Sequence, residues 1–242
     1  MPRQLTLLDT RMIQLGDKAI EYQFARRRRR TLGITVDGSG LSVRAPLRAP
    51  LRDIESFLRD KERWIVTKLD EWSRVPRPAI LQGRTGETLP LFGTSLILEV
   101  REGGRAVRRH DDRLVVCAPG PHRVVQTLVG WLKTNALETL APRAEYFAAR
   151  LGVPAPSIAL SNARGQWGVC MEGGTIRLNW RLVHLAPELA DYVVAHEVAH
   201  LLEMNHSKRF WQLVARLYPK WREARERLET AGASIPIIKG AR

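Results

Sequence analysis

The sequence predicts an α+β protein in which a β-rich N-terminal region precedes a helical C-terminal region. Over the first hundred residues, apolar side chains mostly alternate with polar ones, which is the pattern of half-buried strands. Beyond residue 123, apolar side chains recur at helical spacing over long segments. We therefore expect two domains, residues 1–123 with strand-helix units and residues 124–242 with helices beside a small antiparallel sheet.

The N-terminal region opens with strands, predicted at residues 19–24, 32–36 and 41–45. The turn DGSG (37–40) joins the last two strands into a hairpin. A single helix is predicted from Leu51 to about Trp72, because apolar residues recur there at helical spacing. Two further strands are expected, around residues 96–100 and 113–119.

A faint internal repeat runs through this region. LSVRAP (41–46) resembles LVVCAP (114–119), and a predicted helix follows each segment. Apolar helix positions also match at a constant offset, such as Ile54 with Val125 and Leu58 with Val129. Two copies are too few for a solenoid. The match therefore indicates either a duplicated strand-and-helix unit or a coincidence.

The C-terminal region begins with a helix over residues 124–151, which GVPAPS (152–157) ends. A short strand near residue 158 and a loop over 162–174 lead to the strand TIRLNW (175–180). Pro187 then opens a helix, at a position where a missing N–H group costs nothing.

Composition restricts the class of protein. Two cysteines, Cys117 and Cys170, cannot form a disulfide framework or a four-cysteine zinc site. There is no apolar run long enough to span a membrane, and Met1 to Gly16 does not resemble a signal peptide. We expect a soluble, cytoplasmic protein without a membrane partner.

The formal net charge of +14 indicates either a polyanionic partner such as nucleic acid or simply an arginine-rich composition. Five consecutive cations contribute to it: Arg26, Arg27, Arg28, Arg29 and Arg30. They are candidates for a DNA-binding surface. The alternative is a solvated edge strand, whose charge discourages aggregation.

The segment VVAHEVAHLLEMNH (193–206) carries the strongest chemical signal. His196 and His200 are four residues apart, so on a helix both imidazoles lie on one face and reach one ion. A catalytic zinc site uses three protein ligands and leaves a fourth position for water. Glu197, next to the first histidine, is placed to take a proton from that water. The spacing therefore predicts one Zn²⁺ per chain.

The third ligand is expected to be His206, with Glu203 as the alternative. On an unbroken helix His206 would face away from the other two histidines, so the helix must end first. Asn205 in a left-handed conformation is the expected break, and Ser207 is the expected cap of a new helix. Glu203 lies on the same predicted face as His200, but three ligands in a line cannot surround an ion. It is therefore expected to orient a histidine.

Four segments together resemble a known family: RRRRRTLGITVDGSGLSVRAP, SNARGQWGVC, TIRLNWRLV and LADYVVAHEVAHLLEMNHSKRFW. They are similar to the YgjP-like family of predicted metal-dependent hydrolases, which are relatives of the SprT-like and WLM zinc metallopeptidases. The resemblance implies a zincin-type catalytic domain over residues 124–242. Zinc would be held by His196, His200 and His206, with Glu197 as the general base.

The resemblance also implies where a substrate binds. In zincins an edge strand near the metal aligns an extended peptide, and TIRLNW, which contains Asn179, is the candidate. In the loop RGQWGVC, Trp167 and Gly168 would line the cleft and Arg164 would bind an anionic group. The alternative is a tight hairpin in which Trp167 only packs.

Three functions remain open at this point. The first is a zinc-dependent peptidase acting on peptides or proteins, with DNA-associated proteins among the candidates. The second is a metal-dependent nucleoside triphosphate hydrolase, and the third is a nucleic-acid-binding protein with a structural zinc. Glu197 favours chemistry over a structural metal, and no Gly-rich phosphate loop supports the second. The peptidase is therefore the preferred hypothesis.

Overall fold

The computed structural model describes residues 9–163 and 165–240 of the chain. The predicted fold class is confirmed, since strands dominate the first half and helices the second. Contacts divide the chain into two units, Met1–Pro76 and Arg77–Arg242. This division differs from the expected boundary at 123/124, because the strands between residues 88 and 118 share one core with the following helix. In the described part, no helix combines the length and apolarity needed to cross a membrane.

The first unit contains one four-stranded sheet and two helices, in the order β1 (Asp9–Leu15), β2 (Lys18–Arg27), β3 (Gly33–Asp37), β4 (Gly40–Pro46), α1 (Leu51–Asp60) and α2 (Glu62–Ser73). The strand order is β1-β2-β4-β3. β2 and β4 are parallel, and the two outer pairs are antiparallel. The single helix predicted over 51–72 is divided at Lys61, whose φ of −100° and ψ of 8° are not helical.

The second unit contains the remaining elements, in the order β5 (Ile80–Leu81), β6 (Thr88–Leu91), β7 (Thr94–Glu102), β8 (Ala106–His110), β9 (Arg113–Ala118), α3 (Pro121–Leu151), β10 (Ile158–Ser161), β11 (Gly168–Cys170), β12 (Ile176–Asn179), a 3₁₀ helix (Trp180–His184), α4 (Pro187–Ala199), α5 (Lys208–Leu217), α6 (Trp221–Ala233) and β13 (Ile237–Ile238). One sheet has the order β6-β7-β9-β8, and another has the order β10-β12-β11. The smaller sheet was expected to be antiparallel but is mixed, because β10 is parallel to β12 and only β11 is antiparallel to it.

The internal repeat is visible in the fold. The first copy (residues 9–60) and the second copy (residues 88–151) share the same strand order, the same strand directions and a helix after the last strand. When the two sheets are aligned by their strand registers, buried positions of the first are equivalent to buried positions of the second. These are Ile13 and Leu89, Leu15 and Leu91, Ile20 and Leu96, Tyr22 and Leu98, Leu41 and Leu114, Val43 and Val116, and Ala45 and Ala118. The sequence similarity therefore marks a repeated structural unit. The helices align one residue away from the predicted offset, because the buried pair Ile54 and Leu58 corresponds to Val124 and Leu128.

The second copy is attached to the elements that follow it. At the tip of the β6–β7 hairpin, the Phe92 N–H donates to the Val183 carbonyl at 2.6 Å. His184 Nδ1 lies 2.8 Å from the Pro90 carbonyl, so it is the protonated nitrogen of that ring and donates. Both partners belong to the 3₁₀ helix that leads into α4. The hairpin therefore fixes the entry to α4.

Candidate metal centre

Three histidines converge at the end of α4. Their ligand-capable nitrogen atoms all lie within 4.8 Å of one another. His196 Nε2 and His206 Nε2 are 3.1 Å apart. Tetrahedral Zn²⁺ with Zn–N distances of about 2.0 to 2.1 Å requires nitrogens about 3.4 Å apart. The spacing of the imidazoles therefore fits a single ion.

His206 returns to the cluster because α4 ends early. The N–H groups of His200, Leu201 and Leu202 donate to carbonyls three residues back, so the helix tightens and stops after Ala199. The expected left-handed break at Asn205 is wrong, since Phe92 and Asp111 are the described non-glycine residues with positive φ. The predicted cap is confirmed: Ser207 Oγ accepts a hydrogen bond from the Phe210 N–H at 3.2 Å, and α5 begins.

The protonation of the histidines suits metal binding. His200 Nδ1 lies 3.0 Å from the Glu203 carbonyl, so Nδ1 carries the proton and Nε2 keeps its lone pair. Burial, followed by the neighbouring histidines, lowers the pKa of His196 to about 3. Burial also lowers the pKa of His200. Neutral imidazole is the form that binds a metal.

Glu203 contributes its backbone to the centre. Its carbonyl orients His200, whereas its carboxylate is not part of the described cluster of possible ligands. The helical face that made Glu203 the rival ligand ends at Ala199. This arrangement favours His206 as the third ligand.

Aromatic rings hold the histidines in place. Phe210 stacks on His200 with the ring centroids 4.4 Å apart, and Trp211 stacks on His206 at 5.7 Å. Trp211 also stacks on Trp221 at 4.4 Å. These neighbours restrict rotation of the imidazoles, which a preorganised ligand set requires. The sequence interpretation assigned them no role at the site, although Phe210 and Trp211 lie only three and four residues after the Ser207 cap.

Glu197 is buried beside the histidines, with 6% of its surface exposed. Burial raises its pKa to about 7, and a hydrogen bond from the Cys170 backbone opposes the rise. The β11 backbone lies directly on this carboxyl group. A Cβ atom at Gly168 would be 2.5 Å from Glu197 Cγ. A carboxyl group that titrates near neutral pH can both accept and return a proton.

The prediction that TIRLNW is an edge strand that aligns a peptide is wrong. Four residues of TIRLNW, Ile176–Asn179, form β12, which is the central strand of its sheet and is paired on both sides. β11 is an edge strand of that sheet, and it is the strand that touches Glu197. Because the sequence analysis interpreted residues 162–174 as one loop, it missed this strand.

The remaining predicted substrate residues occupy different positions. Gly168 covers Glu197, and Trp167 packs on α6, where a Cβ atom at Gly232 would lie 2.7 Å from its ring. Asn179 is buried; its amide donates to the carbonyls of Ala163 and Gln166, so it holds the loop. Arg164 lies outside the described residues.

The arginine run lies in the first unit and is not uniform. Arg26 Nη1 donates to the carbonyls of Pro46, Leu47 and Ala49, so this residue fixes the loop after β4. Arg29 lies on Gly33, where an added Cβ would be 2.6 Å from its Nη2. Arg27, Arg28 and Arg30 are exposed. These three are therefore the members of the run that remain as candidates for binding DNA.

Comparisons with known proteins bear on the fold and the site. A search of curated proteins finds no match. Among solved structures, the chain is similar to the metallopeptidase zymogen abylysin of Pyrococcus abyssi, with 24% identity and a TM-score of 0.37 over 41% of this chain and 100% of that chain. The family model described as YgjP-like, metallopeptidase domain, matches residues 30–231. Since this match spans most of the sequence, the chain belongs to the YgjP-like metallopeptidase family.

Proposed function

We propose that the chain is a zinc-dependent peptidase in which His196, His200 and His206 hold one ion and Glu197 is the general base. The observation that carries this proposal is the convergence of three imidazoles within 4.8 Å beside a buried carboxyl group. Imidazole suits several transition metals. Three nitrogen ligands with one position left open are typical of catalytic zinc.

The chain's own groups divide the work. Bound zinc supplies Lewis acidity toward water and the peptide carbonyl. Glu197 takes a proton from the attacking water and returns it to the leaving amine, which its pKa of about 7 permits. The β11 backbone covers the Glu197 carboxyl group, whereas His206 is exposed to solvent.

A peptide substrate would align along β11 by strand addition. The N–H of Asn179 donates to the carbonyl of Trp167, and pairing continues between Val169 and Arg177. Backbone groups in an antiparallel pair alternate in direction, so those of Gly168 and Cys170 point away from β12. The Gly168 backbone thus offers a donor and an acceptor beside Glu197.

Separating metal binding from proton transfer tests the assignment. Glu197→Gln should keep about one zinc per chain and lower kcat for peptide cleavage by about 10²- to 10⁴-fold. His206→Ala should lose the metal because one of three ligands is gone. Zinc is measured by elemental analysis, and cleavage is measured with a fluorogenic peptide library.

Glu203→Gln is the matched control for His206→Ala. It should retain zinc, because its backbone carbonyl still orients His200. Zinc loss in Glu203→Gln with retention in His206→Ala would transfer the third-ligand role to Glu203. Nucleoside triphosphates serve as comparison substrates, and metal-dependent hydrolysis of these alone would replace the peptidase by a nucleotide hydrolase.

A further inference from the structure

Arg225 on α6 lies against the stacked rings beside the metal centre, which are those of His206, Trp211 and Trp221. Its guanidinium carbon lies 5.3 Å from the centroid of the Trp211 ring, and the same ring stacks on His206. Trp211 is also 5.8 Å from His196, measured between ring centroids. One aromatic side chain thus bridges an exposed cation and two of the proposed ligands.

Among the described residues, Arg225 has no carboxylate within ion-pair distance. Its neighbour Arg227 pairs with Glu223 at 3.6 Å. Arg222, one turn earlier, lies 4.5 Å over the ring of a different tryptophan, Trp221. Arg225 therefore brings an uncompensated positive charge to the centre.

This charge lies close to the site, because the Trp211 ring contacts the Arg225 guanidinium and also two of the proposed ligands, His196 and His206. A divalent ion held by three neutral imidazoles would add to this positive potential, and Glu197 is the carboxyl group buried there. An anionic substrate group beside the metal would be stabilised.

We propose that Arg225 is a specificity-determining residue that binds a carboxylate of the peptide substrate close to the scissile bond. The inference rests on the proposed peptidase function. The Arg225 guanidinium makes a cation–π contact with Trp211. Its planar fork of N–H groups matches a carboxylate through two parallel hydrogen bonds. The carboxylate has two possible sources, an acidic side chain or the C-terminus of the peptide.

Paired peptides distinguish the two sources. One series carries Glu or Gln at successive positions around a cleaved bond, and the other ends in a free acid or an amide. The wild-type enzyme should prefer the carboxylate member of one series by about 10- to 100-fold in kcat/KM, mainly through KM. Equal rates within every pair would overturn the inference.

Variants assign the preference to Arg225. Arg225→Gln should bring cleavage of the carboxylate peptide down to the rate of its neutral partner. Arg225→Lys should restore part of the preference, since it keeps the charge and loses the fork. Arg222→Gln is the matched control, a guanidinium one turn away on the same helix, and should keep the preference. A similar fall in kcat for both peptides in Arg225→Gln would indicate a role in stabilising the developing charge and would contradict the specificity role.

Binding gives a readout that does not depend on cleavage. Two hydroxamates of equal length, one ending in a carboxylate and one in a carboxamide, are titrated calorimetrically into zinc-loaded wild-type protein, Arg225→Gln and Arg222→Gln. The carboxylate compound should bind the wild type and Arg222→Gln about 10- to 100-fold more tightly than the carboxamide compound does. The two compounds should bind Arg225→Gln with equal affinity. If zinc-loaded protein cleaves no peptide yet shows this pattern, the proposed function fails and the carboxylate site stands. Equal affinities in the wild type would exclude the site.

Discussion

The two copies of the repeated unit differ at the tips of their first hairpins. In the first copy the tip, Gly16 and Asp17, is exposed. In the second copy Phe92 donates to Val183, and a Cβ atom at Gly93 would lie 3.2 Å from the ring of Pro187. The sheet of the second copy thus supports α4, which contains His196 and is followed directly by His200. Within the first unit its counterpart has no such task.

The copies also differ in charge. Over residues 18–50, which are equivalent to 94–120, there are seven arginines, one lysine and two carboxylates, Glu21 and Asp37. Between Thr94 and Gly120 there are five arginines and four carboxylates. Because both copies build the same sheet, the arginine excess is not needed for folding. It is instead a property of the surface, where charge acts on solubility and partners.

Truncating equivalent core positions should give the largest effect. Leu41 and Leu114 are both buried and occupy the same place in the two sheets. Leu41→Ala and Leu114→Ala should each cost about 2 to 5 kcal/mol in the stability of their own unit. Because the second copy supports α4, Leu114→Ala should also weaken zinc binding, whereas Leu41→Ala should not. Denaturant unfolding and zinc titration measure the two quantities, and equal loss of zinc affinity in both variants would contradict the division of roles.

Acid should destabilise the second unit through His184. Burial lowers its pKa to about 4, from an unfolded value of 6.5. The folded state therefore excludes a proton that the unfolded state binds. The contribution of neutral His184 to the free energy of unfolding is fully present above pH 6.5. It is lost as the pH falls toward 4, which lowers stability by roughly 3 kcal/mol.

His184→Gln tests this prediction, because an amide can still donate to the Pro90 carbonyl without titrating. The loss of stability between pH 6.5 and 4 should become smaller in this variant than in the wild type. The first unit contains no histidine, so its own unfolding should lack this component. A variant with the unchanged pH profile of the wild type would show that His184 is protonated in the folded state.

Removing charge should change stability least and binding most selectively. A triple variant that combines Arg27→Gln, Arg28→Gln and Arg30→Gln should weaken DNA binding. The slope of log affinity against log salt concentration should become less steep, by the equivalent of up to about three phosphate contacts. The matched control combines Arg105→Gln, Arg108→Gln and Arg109→Gln, three exposed arginines of the second copy. Fluorescence anisotropy at several salt concentrations measures both. Equal losses would assign binding to net charge, and no loss in either would make the run a solubility feature.

Local spacing made much of the centre predictable. His196 and His200 lie four residues apart on a helix, and Ser207 is a strong cap, so both features are visible in the sequence. The site of the helix break was not, because the backbone already tightens at His200 to Leu202, before the expected turn at Asn205. The position of TIRLNW in its sheet depends on two partner strands that are short and weakly patterned.

Contacts between distant segments were beyond sequence reasoning. Arg225 lies nineteen residues beyond His206 and reaches the centre through Trp211. Gly168 is placed on Glu197 by strand pairing and packing. Neither relation leaves a periodic signal, because each depends on how separate elements pack.

The proposed ligands all lie within eleven consecutive residues, 196–206. Closing so short a loop costs little chain entropy, so the ion can be captured before the sheets have formed. An early complex of this kind would bend the chain after Ala199 and bring α4 and α5 together. It would also mean that the denatured chain retains affinity for zinc. The ion would then stabilise the folded protein by less than its dissociation constant suggests.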